Sequence, residues 1–305
     1  MTFILLITNL IDMLLEKKEL MERQSWTLNQ KIDHTLGAIE QYYNHFDGKV
    51  YLSYSGGRDS TVLKYLIKMI YPNIEIVFCN TGMEYPETLK FVKQTEDVTF
   101  LKPKYRFHEI IKKYGYPVIS KEQAQYINEL KNTKGEKTRH IRLYGNKWGA
   151  GKVSKKWRYL VDAPFEVSHK CCYYLKKEPF KTFEKQTGLH PILGTTAAES
   201  ANRQSDYLKH GCNAFNMKRP VSRPASIWLY EDVLNCIKMF NIPYSEIYDK
   251  TNLKQTGCTG CGFGIQKDGN PNRFQCMKKT HPKLYEYHIH IIGWGKVLDY
   301  MGIPY

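Results

Sequence analysis

The sequence predicts an α/β fold: a parallel sheet with helices on both faces, plus a Cys-rich helical part towards the C-terminal end. Three observations carry this reading. Short β-branched and aromatic runs alternate with stretches of helical periodicity from residue 27 onward. The first such run, "KVYLSY", meets a Gly-Gly pair and passes into a run suited to a helix, the order of a βα unit. Finally, 305 residues with 42% hydrophobic and 13% aromatic side chains can fill a sizeable core, which excludes bulk disorder.

Taken in order, residues 27–45 read as a helix on the spacing of Leu28, Ile32, Leu36, Ile39 and Tyr43. Residues 49–54 form a strand, the glycine loop follows, and a helix covers 60–70. "IEIVFC" (74–79) is a second strand, and Pro86 opens a helix over 86–94 from its first turn. A third strand spans 98–102, a helix 107–114, and "HPILG" (190–194) reads as a later strand. Helices over 230–240 and 281–301 complete the pattern, and no internal repeat is visible.

The first residues, "MTFILLITNLIDMLL", are apolar but short. They carry Asn9 and Asp12 and lack a basic leading segment, so they read as neither a signal peptide nor a spanning helix. Residues 1–24 are therefore taken as an N-terminal extension, with Met21 an alternative start, and the chain as cytoplasmic and without membrane contact. The formal net charge of +15 favours anionic partners. Residues 131–158 concentrate it, with ten Lys/Arg against the single acid Glu136 and with Tyr144, Trp148, Trp157 and Tyr159 interleaved. That insertion is either a solvated, mobile stretch or an arm facing nucleic acid, where cations meet phosphates and aromatic rings meet bases.

A loop joining a strand end to a helix start is an anion site, because free backbone N–H groups and the helix dipole both favour negative charge there. In "SGGRDS", Gly56 and Gly57 admit close backbone approach, Ser55 and Ser60 add hydroxyls, and Arg58 adds a fork suited to phosphate. The loop is neither a Walker A nor a G-x-G-x-x-G motif. It resembles the SGGxDS loop of the PAPS reductase and ATP pyrophosphatase superfamily, with Arg58 where Lys is usual. "NTGMEYPET" (80–88) is similar to that family's DTGxxFPET segment, with Asn80 in place of Asp. "GTTAAESANR" (194–203) resembles G-x-R-x-x-E-S-x-x-R, keeping Gly194, Glu199, Ser200 and Arg203 but with Thr196 for the first Arg. "RPASIWLYEDVL…IPYSEIYDK" (223–250) keeps Trp228, Asp232, Val233 and Tyr248.

The resemblance covers about residues 25–265. It implies a five-stranded sheet of the adenine nucleotide α-hydrolase type in residues 25–250, with 251–305 holding a Cys-x-x-Cys loop and a closing helix. It implies nucleotide contacts from Ser55, Gly56, Gly57, Arg58, Asp59, Ser60, Thr81, Gly82, Gly194, Glu199 and Arg203. Asp59 is implied to order the loop or link to Mg²⁺, and Arg203 to approach the phosphates.

Eight cysteines without a secretory signal argue for a metal or redox site rather than a disulfide framework. The adjacent pair Cys171/Cys172 and the later Cys258-x-x-Cys261 resemble the iron–sulfur set of assimilatory APS reductases, implying a [4Fe–4S] cluster. A four-Cys Zn²⁺ site, a Cys258–Cys261 redox pair and plain structural thiols remain open. Cys79 and Cys236 read as core, Cys276 as a buried residue in preference to a fifth thiol near the site, and no histidine is assigned to metal.

Sulfonucleotide reductases of this kind attack with a cysteine in a C-terminal E-C-G-L-H motif, absent from "LDYMGIPY". Relatives with an intact SGGxDS loop split ATP to AMP and pyrophosphate. The resemblance thus favours ATP-dependent sulfur transfer, with nucleic acid as acceptor and a sulfur-donor protein or thiol reductant as partner. Reduction of PAPS or APS through another thiol, and a non-catalytic nucleotide- and nucleic-acid-binding module, are the alternatives.

Overall fold

The computed structural model describes residues 17–251 and 253–305. The apolar opening stretch (1–16) lies outside the described residues. Among the described residues there are eight strands: β1 (Val50–Tyr54), β2 (Glu75–Cys79), β3 (Val98–Leu101), β4 (Val118–Ile119), β5 (His190–Leu193), β6 (Asn213–Ala214), β7 (Val221–Ser222) and β8 (Gly262–Phe263). Internal contacts divide the chain into two compact units. One comprises the chain up to Cys79, Pro86–Leu101 and Lys181–Glu246; the other comprises Asn80–Tyr85, Lys102–Phe180 and Ile247–Tyr305.

The first unit holds the sheet, in the order β3-β2-β1-β5-β7-β6. Strands β3, β2, β1, β5 and β7 run parallel, the five expected, and β6 adds a short antiparallel edge. β1 is central, with Tyr51 opposite Glu75 on one side and Pro191 on the other. Four of its five residues are buried, as a strand covered on both faces requires. Ile39, Tyr42 and Leu63 pack with Leu52, Phe78 and Ile192 in one core cluster. A second cluster joins the Leu28–His45 helix to the Tyr230–Phe240 helix through Ile32, Val233, Ile237 and Trp228.

Two polar contacts fix that second junction. Trp228 is fully buried and donates its indole N–H to Thr35 Oγ1 at 2.9 Å. Lys31, 2% exposed, pairs with Asp232 at 2.6 Å, while Asp232 Oδ2 also accepts from Leu229 N and starts the Tyr230–Phe240 helix. Trp228 and Asp232 of the family-like segment are thus structural here.

The second unit has its own core, in which Val118, Ile127, Leu160, Phe274, Trp294 and Leu298 are almost wholly buried. A single boundary near residue 250 therefore does not describe the chain. Residues 102–180 share this apolar cluster with the C-terminal segment. The 131–158 stretch is folded into it as well. It contains the Glu136–Tyr144 helix and enters the Lys155–Asp162 3₁₀ turn, and Val153 and Leu160 anchor these in the core. The expected 281–301 helix is three pieces: Pro282–Glu286, a π turn Tyr287–Ile291, and Trp294–Met301 after Gly293 at φ +83°. No helix among the described residues is long and apolar enough to cross a membrane.

Removing one member of a buried ion pair strands the other charge in a dry environment. Asp232→Ala is expected to lower stability by about 3–5 kcal/mol in urea denaturation, whereas Lys68→Ala, whose partner Asp97 is largely exposed, should cost under ~1 kcal/mol.

Candidate functional site

Two groupings of the expected residues emerge, one in each unit. In the first, the chain leaves β1 and turns through Ser55-Gly56-Gly57 into the Arg58–Ile70 helix. Gly56 sits at φ +72°, and a Cβ there would lie 2.6 Å from Val92 Cγ2 and 2.9 Å from Thr88 Cγ2. Only glycine satisfies both the conformation and the space. Ser60 knits the turn: its Oγ donates to Gly57 O at 3.0 Å, accepts from Ser55 N at 3.2 Å and lies 2.9 Å from Ser55 Oγ. Thr61 Oγ1 also donates to Gly57 O, at 2.8 Å. Ser55 is exposed, while Gly56, Gly57 and Ser60 are buried. A Cβ on Gly194, beyond β5, would stand 2.8 Å from Ser60 Cα, so this glycine lets the second motif press against the helix start.

The charged residues of this unit are arranged around that turn. Burial raises the Asp59 carboxyl above its ordinary range, opposed by its own backbone N–H and by Arg203 and Arg58. Arg203 makes an ion pair with Glu199. Burial lowers the Arg203 guanidinium, and Asp59 counters that. Glu199 accepts from Thr196 N at 2.8 Å, and Thr196 is buried, so this segment is a capped turn that presents one cation. Ser200 caps the Ala201–His210 helix. Arg58, expected to fork onto phosphate, donates to Tyr230 OH at 3.2 Å and lies over the Tyr244 ring at 4.7 Å.

Thr81 and Gly82 fall in the second unit. Thr81 is buried and donates to Glu84 Oε1 at 2.5 Å, and Gly82, at φ +73°, donates its N–H to Asn80 Oδ1 at 3.2 Å.

All four cysteines of the expected set belong to the second unit. Cys171 and Cys172, 4.0 Å apart at their sulfurs, open a helix that immediately widens into the π turn Tyr173–Lys177. π turns cluster at functional positions. Cys171 donates to Cys172 across that contact. The hydrogen bond from Cys171 depresses Cys172 to about 6 against its burial, helped by Lys121, Lys176 and Lys177. Cys171 is pushed up by that same bond and by burial, and Cys261 and Cys258 act on it in the same direction. Burial raises Cys258 and carries Cys261 up to about 11. The Lys176 ammonium is held charged chiefly by Cys258. Each thiol therefore feels its neighbours' charge, and four such thiols beside lysine suit a thiolate-bound centre by donor chemistry. Among the described residues, no group of three or more His, Cys, Asp or Glu side chains stands ready to hold a metal ion.

Sequence reasoning missed the residues that shape the Cys258–Cys261 loop. Arg273 donates to Cys261 O at 2.9 Å and Phe263 O at 3.1 Å, and Asp268 holds it with a two-point ion pair. His288, fully buried, lies 2.9 Å from Thr259 Oγ1. Burial lowers its pKa to about 4 and keeps it neutral. A Cβ on Gly260 would strike the His288 ring at 2.5 Å, and one on Gly262 would strike Trp294 at 2.2 Å. No motif spacing in the sequence flags these contacts: Arg273 reaches Cys261 across 12 residues and His288 reaches Thr259 across 29. Cys79 and Cys236 are core, as expected. Cys276 is not: it is half-exposed on a short helix and lines a cleft with Cys258, Tyr85 and Arg273.

Comparison with known proteins follows the same lines. Residues 49–140, which contain the glycine loop and "NTGMEYPET", match the model of the phosphoadenosine phosphosulfate reductase domain. The adenosine 5'-phosphosulfate reductase of Geobacillus kaustophilus is 23% identical over 79% of this chain and 84% of its own. Over that stretch the chain is similar to the phosphoadenosine phosphosulfate reductase family. An uncharacterized protein of Methanocaldococcus jannaschii is 24% identical over 88% of this chain, which spans about half (53%) of that protein. A Candida auris phosphoadenylyl-sulfate reductase structure overlays at a TM-score of 0.41 with 15% identity, over 70% of this chain and 83% of its own.

Two glycines of like backbone angle differ in the space around them. Gly56 has no room for a methyl group, whereas nothing lies within 4 Å of one added at Gly82. Gly82→Ala should cost about 1–2 kcal/mol, the left-handed backbone term alone. Gly56→Ala should cost clearly more in the same denaturation experiment, because Val92 and Thr88 must also move.

Proposed function

We propose that this protein is an ATP-dependent sulfur-transfer enzyme whose acceptor is a nucleic acid. The observation that carries the reading is the glycine loop. It places backbone N–H groups and two serine hydroxyls at the start of a 13-residue helix, the arrangement that receives a diphosphate. Thr196 supports ATP over a sulfonucleotide, since it is buried and neutral and leaves Arg203 as the cation of its segment.

In this reading Ser55, Gly56, Gly57 and Ser60 bind the β- and γ-phosphates, and Arg58 and Arg203 balance their charge. Asp59 orders the helix start and, once ionised, helps hold Mg²⁺. The acceptor oxygen attacks the α-phosphorus, the α–β anhydride bond breaks, and pyrophosphate leaves. A donor sulfur then takes the place of the adenylated oxygen, which leaves as AMP. Cys171, Cys172, Cys258 and Cys261 would hold a [4Fe–4S] cluster, which when bound supplies a site for sulfur; Zn²⁺ is the alternative for the same thiols. Arg273 and His288 keep the Cys258–Cys261 loop in shape, and Lys176 favours the thiolate state.

A second reading, reduction of a sulfonucleotide, is supported by the adenosine 5'-phosphosulfate reductases among the relatives. An anaerobic assay separates the two. Protein given ATP and nucleic acid should release AMP and pyrophosphate, and none with Gly56→Ala. Sulfite release from APS or PAPS with a thiol reductant, and no pyrophosphate from ATP, would establish the second reading in place of the first. The same preparation should contain iron and acid-labile sulfide that Cys172→Ala removes; one zinc per chain instead would refute the cluster.

A further inference from the structure

The 131–158 segment has a construction that the chemistry above does not use. Three of its ten cations are committed to the fold: Lys131 pairs with Glu166 at 2.9 Å, Arg142 with Glu129 at 2.6 Å, and Arg158 donates to Leu143 O at 2.8 Å. The remaining seven pair with no carboxylate among the described residues. On the Glu136–Tyr144 helix, Lys137, His140 and Tyr144 share one face at helical spacing, and the His140 and Tyr144 rings meet at 5.0 Å. Tyr144 is 64% exposed.

The loop that follows displays a tryptophan. Trp148 is 79% exposed, yet the backbone carrying it is closely determined. Asn146 Oδ1 accepts from Trp148 N at 2.9 Å and from Ala150 N at 3.0 Å. Asn146 N donates to Ala150 O at 2.7 Å, and Gly149 N donates back to Asn146 O at 2.8 Å. A Cβ on Gly145 would lie 2.8 Å from the Gly149 carbonyl group, so the turn closes only because that residue is glycine. The fold thus fixes a large apolar ring in water, where it contributes nothing to the core. Lys147 sits over the same ring at 4.9 Å.

We infer that this surface binds a single-stranded polynucleotide, with Trp148 and Tyr144 stacking on unpaired bases and Lys137 and Lys147 contacting the phosphates. Paired bases in a duplex offer no free face to an indole, whereas a single strand offers one at every nucleotide. The charge fits: the segment carries ten Lys/Arg and one acid. The inference deepens the proposed function by naming the form of its acceptor, and it rests on that reading for its biological role.

The test uses the full chain, without ATP, and labelled single-stranded RNA, single-stranded DNA and duplexes of the same sequence, by fluorescence anisotropy across a salt series. Trp148→Ala should weaken single-strand binding by about 5- to 100-fold, leave the salt slope unchanged, and leave the melting temperature unchanged because the ring is exposed. Trp148→Phe should restore most of the affinity. Lys147→Ala should instead reduce the log–log salt slope by about 0.7. Equal loss for duplex and single strand, or no loss in Trp148→Ala, would overturn the inference. So would Trp148-dependent binding to phosphatidylserine-containing vesicles with no oligonucleotide binding. Single-strand binding through Trp148 in protein that releases no pyrophosphate from ATP would uphold the surface and overturn the activity proposed above.

Discussion

Between Tyr54 and Arg58 the chain turns from a buried strand into a helix while Val92 and Thr88 press on it from the neighbouring Pro86–Lys93 helix. A side chain at Gly56 would push the turn off that helix, and one at Gly194 would push β5's exit off Ser60. A Cβ at Gly194 would also stand 3.1 Å from Ser60 N, so glycine there keeps that N–H at the helix start clear. The serine hydroxyls then tie the loop to itself rather than to distant elements. In the proposed reading the anion site is a property of this backbone, and the charged residues around it adjust affinity without creating it.

The cysteine-bearing unit solves a different problem. Four thiols in partly dry surroundings resist ionisation, and Cys258 and Cys261 show it. Of the compensating cations, Lys121 and Lys177 act on Cys172, while Lys176 acts on both Cys172 and Cys258. Arg273 is occupied with backbone carbonyls and Asp268, and His288 is neutral, so neither brings a mobile proton to the loop. Lys176 is thus the cation that the two cysteine pairs share.

Much of the first unit was legible because its signals are local. The strand–loop–helix order, the Gly-Gly pair and the buried runs of β1 and β2 each lie within about twenty residues. β6 and β7 were not legible, since two-residue strands carry no periodicity. The division into two units was invisible for a related reason: the chain passes between them repeatedly, and only packing shows that Val118, Leu160 and Trp294 share one core. The closing helix was read as continuous because the apolar spacing continues through Tyr287–Ile291, while the π turn and Gly293 reset its direction. Cys276 was misjudged because a thiol counts as apolar by composition, and nothing nearby marks its face of the helix as open. Ile119, β-branched at φ +66° opposite Phe263, is a backbone outlier that no propensity would suggest.

The π turn after Cys171 and Cys172 has a consequence for the history of the chain. One extra residue in an α-helix rotates everything beyond it by about 100°, whereas a π turn absorbs the addition within a single loop of the spiral. Leu175 keeps its place in the core, and the helix continues as Glu178–Thr187 without a break, although the cysteine pair stands at a different angle from the one a regular helix would give it. An insertion can thus re-aim two sulfurs and leave the downstream packing alone. Aligned against a relative with a regular helix here, this chain would show a one-residue insertion between Tyr173 and Lys177, and that insertion would mark a change in the direction the two sulfurs face.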